Sequence, residues 1–347
     1  MRVFWSGFPG DSGGANTECW HTARLLRDNG VDVTFMPTKG ADLKWQGRLE
    51  GIGCKVQMVE WDKLEAVDGL PGSIVISMCN SNFIGQAHRF RDLGCKTCWA
   101  NCMTFVEHGE QRHYTNYGEA FDAYVFQSEW QRAKLEPILA GWKYTPDRGH
   151  LIRGAFYHDE FPLTPKPHEK GEPFVVGRLS RAAGDKYSSN LWPICKQISD
   201  PKHLRCMAWA PEVERKCGKP ERHGLKADLL PSCAETPQAF LGSLHCLLQV
   251  NGGAGENWPR TGLEAMAAGV PIVAQDQWGW KEMIQHGETG FLCGDEPAAL
   301  AAWPNVLAAD ETYRQRIIKQ AREHMLEITN PERIWPSWET MLNKLAG

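Results

Sequence analysis

No apolar run in this chain approaches the length that spans a bilayer, so an integral membrane reading falls away. Nor is there a strong excess of charge: 38 Lys and Arg against 42 Asp and Glu leave a net charge of -4. That balance gives no overall attraction to nucleic acid or anionic lipid and disfavours dedicated DNA binding, while leaving room for a local basic groove. Internal repeats and low-complexity tracts are absent too. The opening MRVFWSGFPG holds an apolar run too short and wrongly flanked for a secretory signal, so the expectation is a cytoplasmic protein. Twelve cysteines are present but scattered, several inside apolar stretches, as Cys79 and Cys246 are; they read as free buried thiols without a disulfide framework. Only Cys95, Cys98 and Cys102 cluster, with His113 available as a fourth zinc ligand. CKTCW reads better as a strand, where a spacing of three puts the sulfurs on opposite faces, and no metal is assigned.

What is there is an ordinary globular composition, 42% hydrophobic and 23% charged, on 347 residues, more than one hydrophobic core usually supports. Apolar strands alternate with amphipathic helices in both halves, the pattern of parallel sheets covered by helices on both faces. In the first half, strands are expected at residues 2–5, 31–36, 73–78, 95–99, 123–127 and 150–153, with helices at 16–28 and 129–139. The stretch PLTPKPHEKGEP concentrates proline, charge and glycine and suits an exposed linker. Strands then restart at 173–176, 204–209, 244–250 and 270–274, with helices at 236–241, 259–268 and 281–285. The division expected is a first doubly wound domain at 1–161, a linker at 162–172, a second at 173–330 and a C-terminal helix at 331–347. That helix carries Ile334, Trp335, Trp338, Met341, Leu342 and Leu345 at helical spacing, an apolar face in need of a partner.

The most informative stretch is GENWPRTGLEAMAAG at residues 255–269. Pro259 suits a first helical position and Gly269 the residue just past the helix end. A helix N-terminus offers unpaired N–H groups and partial positive charge, so the amides of Arg260, Thr261 and Gly262 form an anion site. Glu264, an acceptor with two oxygens side by side, matches two vicinal hydroxyls such as those of a ribose. The plainer alternative makes Glu256 a partner of the helix dipole and Glu264 a solvated residue.

Glu256 and Glu264, separated by seven residues and followed by EAMAAGVPIVA and HGETGFL, resemble the paired-glutamate motif of GT-B glycosyltransferases, in particular the retaining family 4. GRLSRAAGDK at 177–186 resembles that family's phosphate-binding segment, and IRGAFYHDEFP at 152–162 the stretch closing its first domain. GDSGGAN at 10–16 is similar to its N-terminal glycine loop, and YVFQSEWQRAKL at 124–135 to the strand, serine and helix late in that domain. The resemblance runs from residue 3 to about residue 295, in the family's order.

It implies two Rossmann-like doubly wound domains facing across a cleft, the C-terminal helix crossing back to the first. The implied activity is metal-independent, retaining transfer of a hexose from a nucleoside diphosphate sugar, a UDP-sugar first, to an acceptor hydroxyl, without a further cofactor. Arg178 and Lys186 stabilise the leaving diphosphate, with Arg181 a competing candidate. Glu256 sits beside the donor sugar, Glu264 binds the ribose, and Gly13 and Gly14 bring backbone close to the diphosphate or acceptor. A first-domain histidine near the sugar is assigned to His108, with Glu107 and His113 as rivals; His21 reads as structural. Front-face attack, the acceptor proton passing to the departing phosphate, needs no dedicated base.

Two departures from the family pattern stand out. Phenylalanine-glycine after the first glutamate is replaced by Asn257-Trp258-Pro259-Arg260, and Lys186 is displaced from Arg178 and followed by Tyr187 instead of glycine. Trp258, Trp278 and Trp280 are expected to flank the donor pocket. An NAD-dependent epimerase or dehydrogenase is the rival enzyme, since Gly7, Gly10 and Gly13 fit a spaced glycine turn. However, Met36-Pro37-Thr38-Lys39 ends the second strand with no acid for the NAD ribose, and no tyrosine has a lysine four residues on. A non-catalytic nucleotide-sugar binding protein is the second rival, and a modified base in DNA an alternative acceptor. The acceptor itself, a saccharide, lipid-linked or small molecule, lies in loops that vary freely.

Overall fold

Val3, Phe4 and Trp5 form a bulky apolar run without alternation, the signature of a strand covered on both faces. They lie in β1 (Arg2–Gly7), whose last five residues are buried. The computed structural model describes residues 1–8, 10, 13–38, 40, 42–118 and 121–347. Asp11 and Ser12 of the glycine loop, and Lys39 after the second strand, lie outside the described residues.

The chain divides into two units, one comprising Met1–Phe156 with Thr329–Gly347 and the other Tyr157–Ile328. In the first, β1 is followed by β2 (Asp32–Pro37), β3 (Lys55–Val56), β4 (Ile74–Met78), β5 (Lys96–Asn101), β6 (Ala123–Phe126) and β7 (Gly149–Leu151). They form one parallel sheet in the order β3-β2-β1-β4-β5-β6-β7. Helices α1 (Gly14–Asp28), α2 (Leu43–Gly51), α3 (Ser81–Asp92), α4 (His108–Tyr117) and α5 (Glu129–Leu139) are the crossovers. Asp42, Asn80 and Ser128 cap α2, α3 and α5 with side-chain oxygens on first-turn N–H groups.

The second unit repeats the plan with β8 (Phe174–Leu179), β9 (Lys202–Met207), β10 (Ala227–Leu230), β11 (Cys246–Gln249), β12 (Ile272–Gln275) and β13 (Phe291–Cys293). Their order is β10-β9-β8-β11-β12-β13, again parallel. Between and after them run α6 (Leu191–Gln197), α7 (Pro211–Cys217), α8 (Pro237–Gly242), α9 (Arg260–Ala268), α10 (Trp280–Met283), α11 (Pro297–Ala309) and α12 (Glu311–Ile328). Both sheets reverse direction of growth once, between β1 and β4 and between β8 and β11. Open parallel sheets bind ligands at the carboxyl ends of strands flanking such a switch point.

Several boundaries differ from the sequence reading. Strands β3, β10 and β13 have two, four and three residues, too short to carry a period. Pro259 is the N-cap of α9 rather than its first helical residue, with φ -69° and ψ 109°. The proline-rich stretch has no regular structure and is fastened to the second unit. The Lys166 carbonyl accepts from Arg314 Nη2 at 2.8 Å, the Pro167 carbonyl lies 2.9 Å from His245 Nε2, and Leu163 and Pro165 lie against Gly269.

The final helix, α13 (Pro331–Ala346), belongs to the first unit. Its apolar stripe buries Ile334, Trp338, Met341, Leu342 and Leu345, with Met341 Sδ 3.8 Å from Cys98 Sγ on β5. Met341 is fully buried, so Met341→Ala should cost about 2–5 kcal/mol through lost contact and a residual cavity. A lowered denaturant midpoint checks this; an unchanged midpoint would show that α13 contributes no packing there.

Candidate active site

Strand β8 has all six residues buried, and its fifth is Arg178, 1% exposed. A guanidinium keeps its charge at any accessible pH, so burying one requires acceptors for its protons. Arg178 has them: Nη1 donates to Gln249 Oε1 and, at 3.0 Å, to the Leu179 carbonyl; Nη2 donates to the Lys186 carbonyl and, at 2.8 Å, to Asn251 Oδ1. Its flat face lies over the Tyr187 ring, 5.1 Å from the centroid, while the Tyr187 hydroxyl donates to the Met207 carbonyl. The Tyr187 ring thus forms the floor beneath a buried cation.

The loops after β8 and β11 are laced together. The Asp185 carbonyl accepts from the Gly252 and Ala254 N–H groups, both at 3.0 Å, and Lys216 Nζ donates to the Gly252 carbonyl at 2.6 Å. Gly252 has no alternative there, because a Cβ would fall on the Tyr187 carbonyl and Lys216 Nζ. This seam brings Lys186 Nζ to 2.8 Å from Glu256 Oε1, with side chains 18% and 16% exposed. The same oxygen accepts from Asn251 Nδ2 at 2.8 Å. Behind Glu256, its own carbonyl accepts from Gly279 N–H at 2.9 Å, and a Cβ on Gly279 would fall on the Asn257 carbonyl.

Arg178, Lys186 and Glu256 are therefore together at the β8/β11 switch point, but the expectation that Arg178 meets a diphosphate directly is changed by its burial: both terminal nitrogens are committed to protein acceptors. Arg181 does not join them; it is exposed and pairs with Asp185 at 3.8 Å. On α9, no side chain caps the N-terminus, and the Gly262 N–H is already given to the Pro259 carbonyl at 2.9 Å. Glu264, one turn on from Arg260, is buried, and burial pushes its carboxyl up to about 7, opposed by the Arg260 cation and reinforced by the Glu160 charge. The solvated alternative for Glu264 does not hold.

Trp258 and Trp280 are buried, Trp280 lying against Gly262, and only Trp278, with φ 55°, is partly exposed. In the first unit, Gly13 takes φ 90° as the N-cap of α1, its carbonyl accepting from the Asn16 and Thr17 amides, and Gly14 opens the helix. His108 is exposed at the start of α4, with Glu107 as N-cap. His113 is instead a core residue among Tyr114, Tyr117 and Phe121, and burial, with the Arg91 and His88 cations, lowers it to about 4. His21 is buried against Trp20 and Phe156. The cysteine cluster has dispersed partners: Cys95 Sγ donates to the Leu70 carbonyl, Cys98 meets Met341, and Cys102 N–H donates to Cys79 Sγ.

Sequence reasoning missed Gln249, Asn251, Gly252 and Gly279. Gln249 and Asn251 had a signal: two amides two residues apart close the apolar run LLQVN, and residues two apart in an extended chain share a face.

Comparison with known proteins agrees with this architecture. The fold is GT-B, two parallel-sheet Rossmann-like domains, as in GT-B glycosyltransferases. HepE from Anabaena, solved with UDP and glucose, matches with a TM-score of 0.76 at 18% identity over 99% of this chain and 100% of that one. A TarM mutant from S. aureus, solved with fondaparinux, alpha-GlcNAc-glycerol and UDP, matches at 0.80 with 13% identity over 99% of each chain. Residues 164–324 match the family described as Glycosyl transferases group 1. A stretch of 81 residues is 40% identical to N-acetyl-alpha-D-glucosaminyl L-malate synthase of Bacillus anthracis. It covers 23% of this chain, and the match spans only 21% of that relative's length.

The Glu264 environment yields a pH prediction. Between the ordinary carboxyl value of 4.5 and about 7 the folded chain retains a proton that the unfolded chain has lost, so stability falls as pH rises through that window and is level above it. Glu264→Gln should remove this slope. Denaturation at pH 5 and pH 7.5 would show the wild type losing ground to the variant; parallel pH curves would contradict the assignment.

Proposed function

We propose that the chain is a retaining glycosyltransferase that moves a hexose from a UDP-sugar to an acceptor hydroxyl without a metal. The observation carrying this is the ion pair of Lys186 and Glu256 at the β8/β11 switch point, just ahead of the uncapped N-terminus of α9, within a Glycosyl transferases group 1 domain. Support for the donor comes from HepE and TarM, both solved with UDP.

Breaking the bond from the anomeric carbon to the diphosphate builds negative charge on the departing phosphate and positive charge on the sugar. Lys186 Nζ, on a flexible stem whose side chain is 18% exposed, meets the first demand by exchanging a carboxylate for a phosphate oxygen. The Arg260 and Thr261 amides add the partial charge of the helix tip. Glu256 answers the second demand, its carboxylate lying beside the sugar as the anomeric carbon becomes cationic. Glu264 accepts from the ribose hydroxyls. Arg178 acts at one remove, holding the Lys186 carbonyl and Asn251. The acceptor oxygen attacks the face the diphosphate leaves, and its proton passes to the departing phosphate, so no base is needed. Gly13, Gly14 and His108 follow the carboxyl ends of β1 and β5 in the first unit, where such sheets take ligands; the two glycines serve the diphosphate or the acceptor and His108 the sugar. No helix among the described residues is long and apolar enough to cross a membrane.

A thermal-shift screen of UDP-, GDP- and ADP-sugars tests the donor: a UDP-sugar should raise Tm most. With that donor, Lys186→Met should slow turnover by about 100- to 1,000-fold, the usual cost of removing one donor to developing charge. No stabilisation by any nucleotide sugar, or unchanged turnover in the variant, would overturn the reading.

A further inference from the structure

Resting on that reading, we infer that Asn251 is a positioning residue: it holds Glu256 in place when Lys186 leaves it for the departing diphosphate. Asn251 is 5% exposed and its side chain is fully engaged. Oδ1 accepts from Arg178 Nη2 at 2.8 Å, and Nδ2 donates to the Ala254 carbonyl at 2.9 Å and to Glu256 Oε1 at 2.8 Å. Its backbone N–H donates to Gln275 Oε1 at 2.8 Å, tying it also to β12.

The amide can face only one way. A guanidinium only donates and an ionised carboxylate only accepts, so turning the amide over would set NH₂ against Arg178 and oxygen against Glu256. The side chain is thus a polarity adaptor between a buried cation and the carboxylate beside the sugar. Aspartate would satisfy the Arg178 half and fail the Glu256 half; an aliphatic residue fails both.

This matters because Lys186 and Asn251 bind the same oxygen of Glu256. If Lys186 alone fixed the carboxylate, moving the ammonium onto a phosphate would release Glu256 at the moment the anomeric carbon needs it. Asn251 is neutral, does not titrate, and is clamped from behind by an arginine that Gln249 and two carbonyls already immobilise. Glu256 therefore keeps one fixed donor through the step while Lys186 moves.

The test is steady-state hydrolysis of the nucleotide sugar selected by the Tm screen, wild type against N251D, across pH 5 to 9. The variant is isosteric. Its new carboxylate faces Glu256 with Arg178 on its far side and Lys186 on Glu256; each carboxylate raises the other's hold on a shared proton while the two cations weaken it, and the proton leaves at the pH this balance sets. With the proton between them the lost hydrogen bond is restored, so kcat of N251D should approach wild type at the acid end and fall about tenfold or more as the proton leaves. KM should change much less, because the α9 amides and Glu264 are untouched. A purely structural role would lower folding stability without adding this limb to the pH profile. If N251D does not fold, N251Q, which keeps both amide functions on a longer stem, should exceed N251L in kcat by about tenfold; equal values overturn the role. Wild type that hydrolyses the donor while N251D shares its kcat and pH profile overturns the Asn251 inference alone. Wild type that turns over no nucleotide sugar overturns the reading beneath it, and this inference with it.

Discussion

A guanidinium sealed inside the second unit is the constraint on which the rest of the site depends. Arg178 cannot neutralise itself, so the fold must bring acceptors to it, and those acceptors come from both strands flanking the switch point. Meeting that demand fixes the start of two loops at once: the Lys186 carbonyl on one and Asn251 on the other. The seam between Asp185, Gly252 and Ala254 then follows, and the flexible ends of Lys186 and Glu256 are left pointing at each other from rigid bases. The pair of Lys186 and Glu256 is thus held by a residue whose two terminal nitrogens are given to protein acceptors.

The same low-dielectric setting acts in opposite senses on neighbouring groups. Burial makes the Arg178 charge an organiser because both of its terminal nitrogens find hydrogen-bond acceptors, while Nε has none. One helix away, burial lifts Glu264 towards neutrality, with only Arg260 on its own helix to favour the charged form. Glu264 is thus poised near neutral pH, where a ligand offering two hydroxyls can draw out the ionised form. The glycines are the third ingredient: Gly252, Gly262 and Gly279 are the points where loop or helix backbone comes closer than any side chain permits.

Much of this was legible in the sequence. The strand, turn and helix alternation led to two parallel sheets, and the paired glutamates led to α9 and its flanks, because long periodic segments and capping residues are local signals. The stripe on α13 announced itself by its spacing. Short edge strands carried no period. Gln249 and Asn251 carried only the weak signal of their spacing: their link to Arg178 spans 71 and 73 residues, and burial of a polar residue is decided largely by such distant partners. His113 shows the converse, a histidine with an ordinary local context whose ring neighbours place it in an aromatic core. Arg181 had the local look of a phosphate ligand, yet its side chain is turned to solvent and to Asp185.

The most direct measurement is a crystal structure of the protein with a bound nucleoside diphosphate. The account predicts a β-phosphate oxygen within about 3 Å of Lys186 Nζ, near the Arg260 and Thr261 amides, with Glu256 still accepting from Asn251 and the Arg178 bonds unchanged. A diphosphate bound elsewhere, or one that leaves Lys186 on Glu256 and instead draws Arg178 out of its pocket, would contradict it.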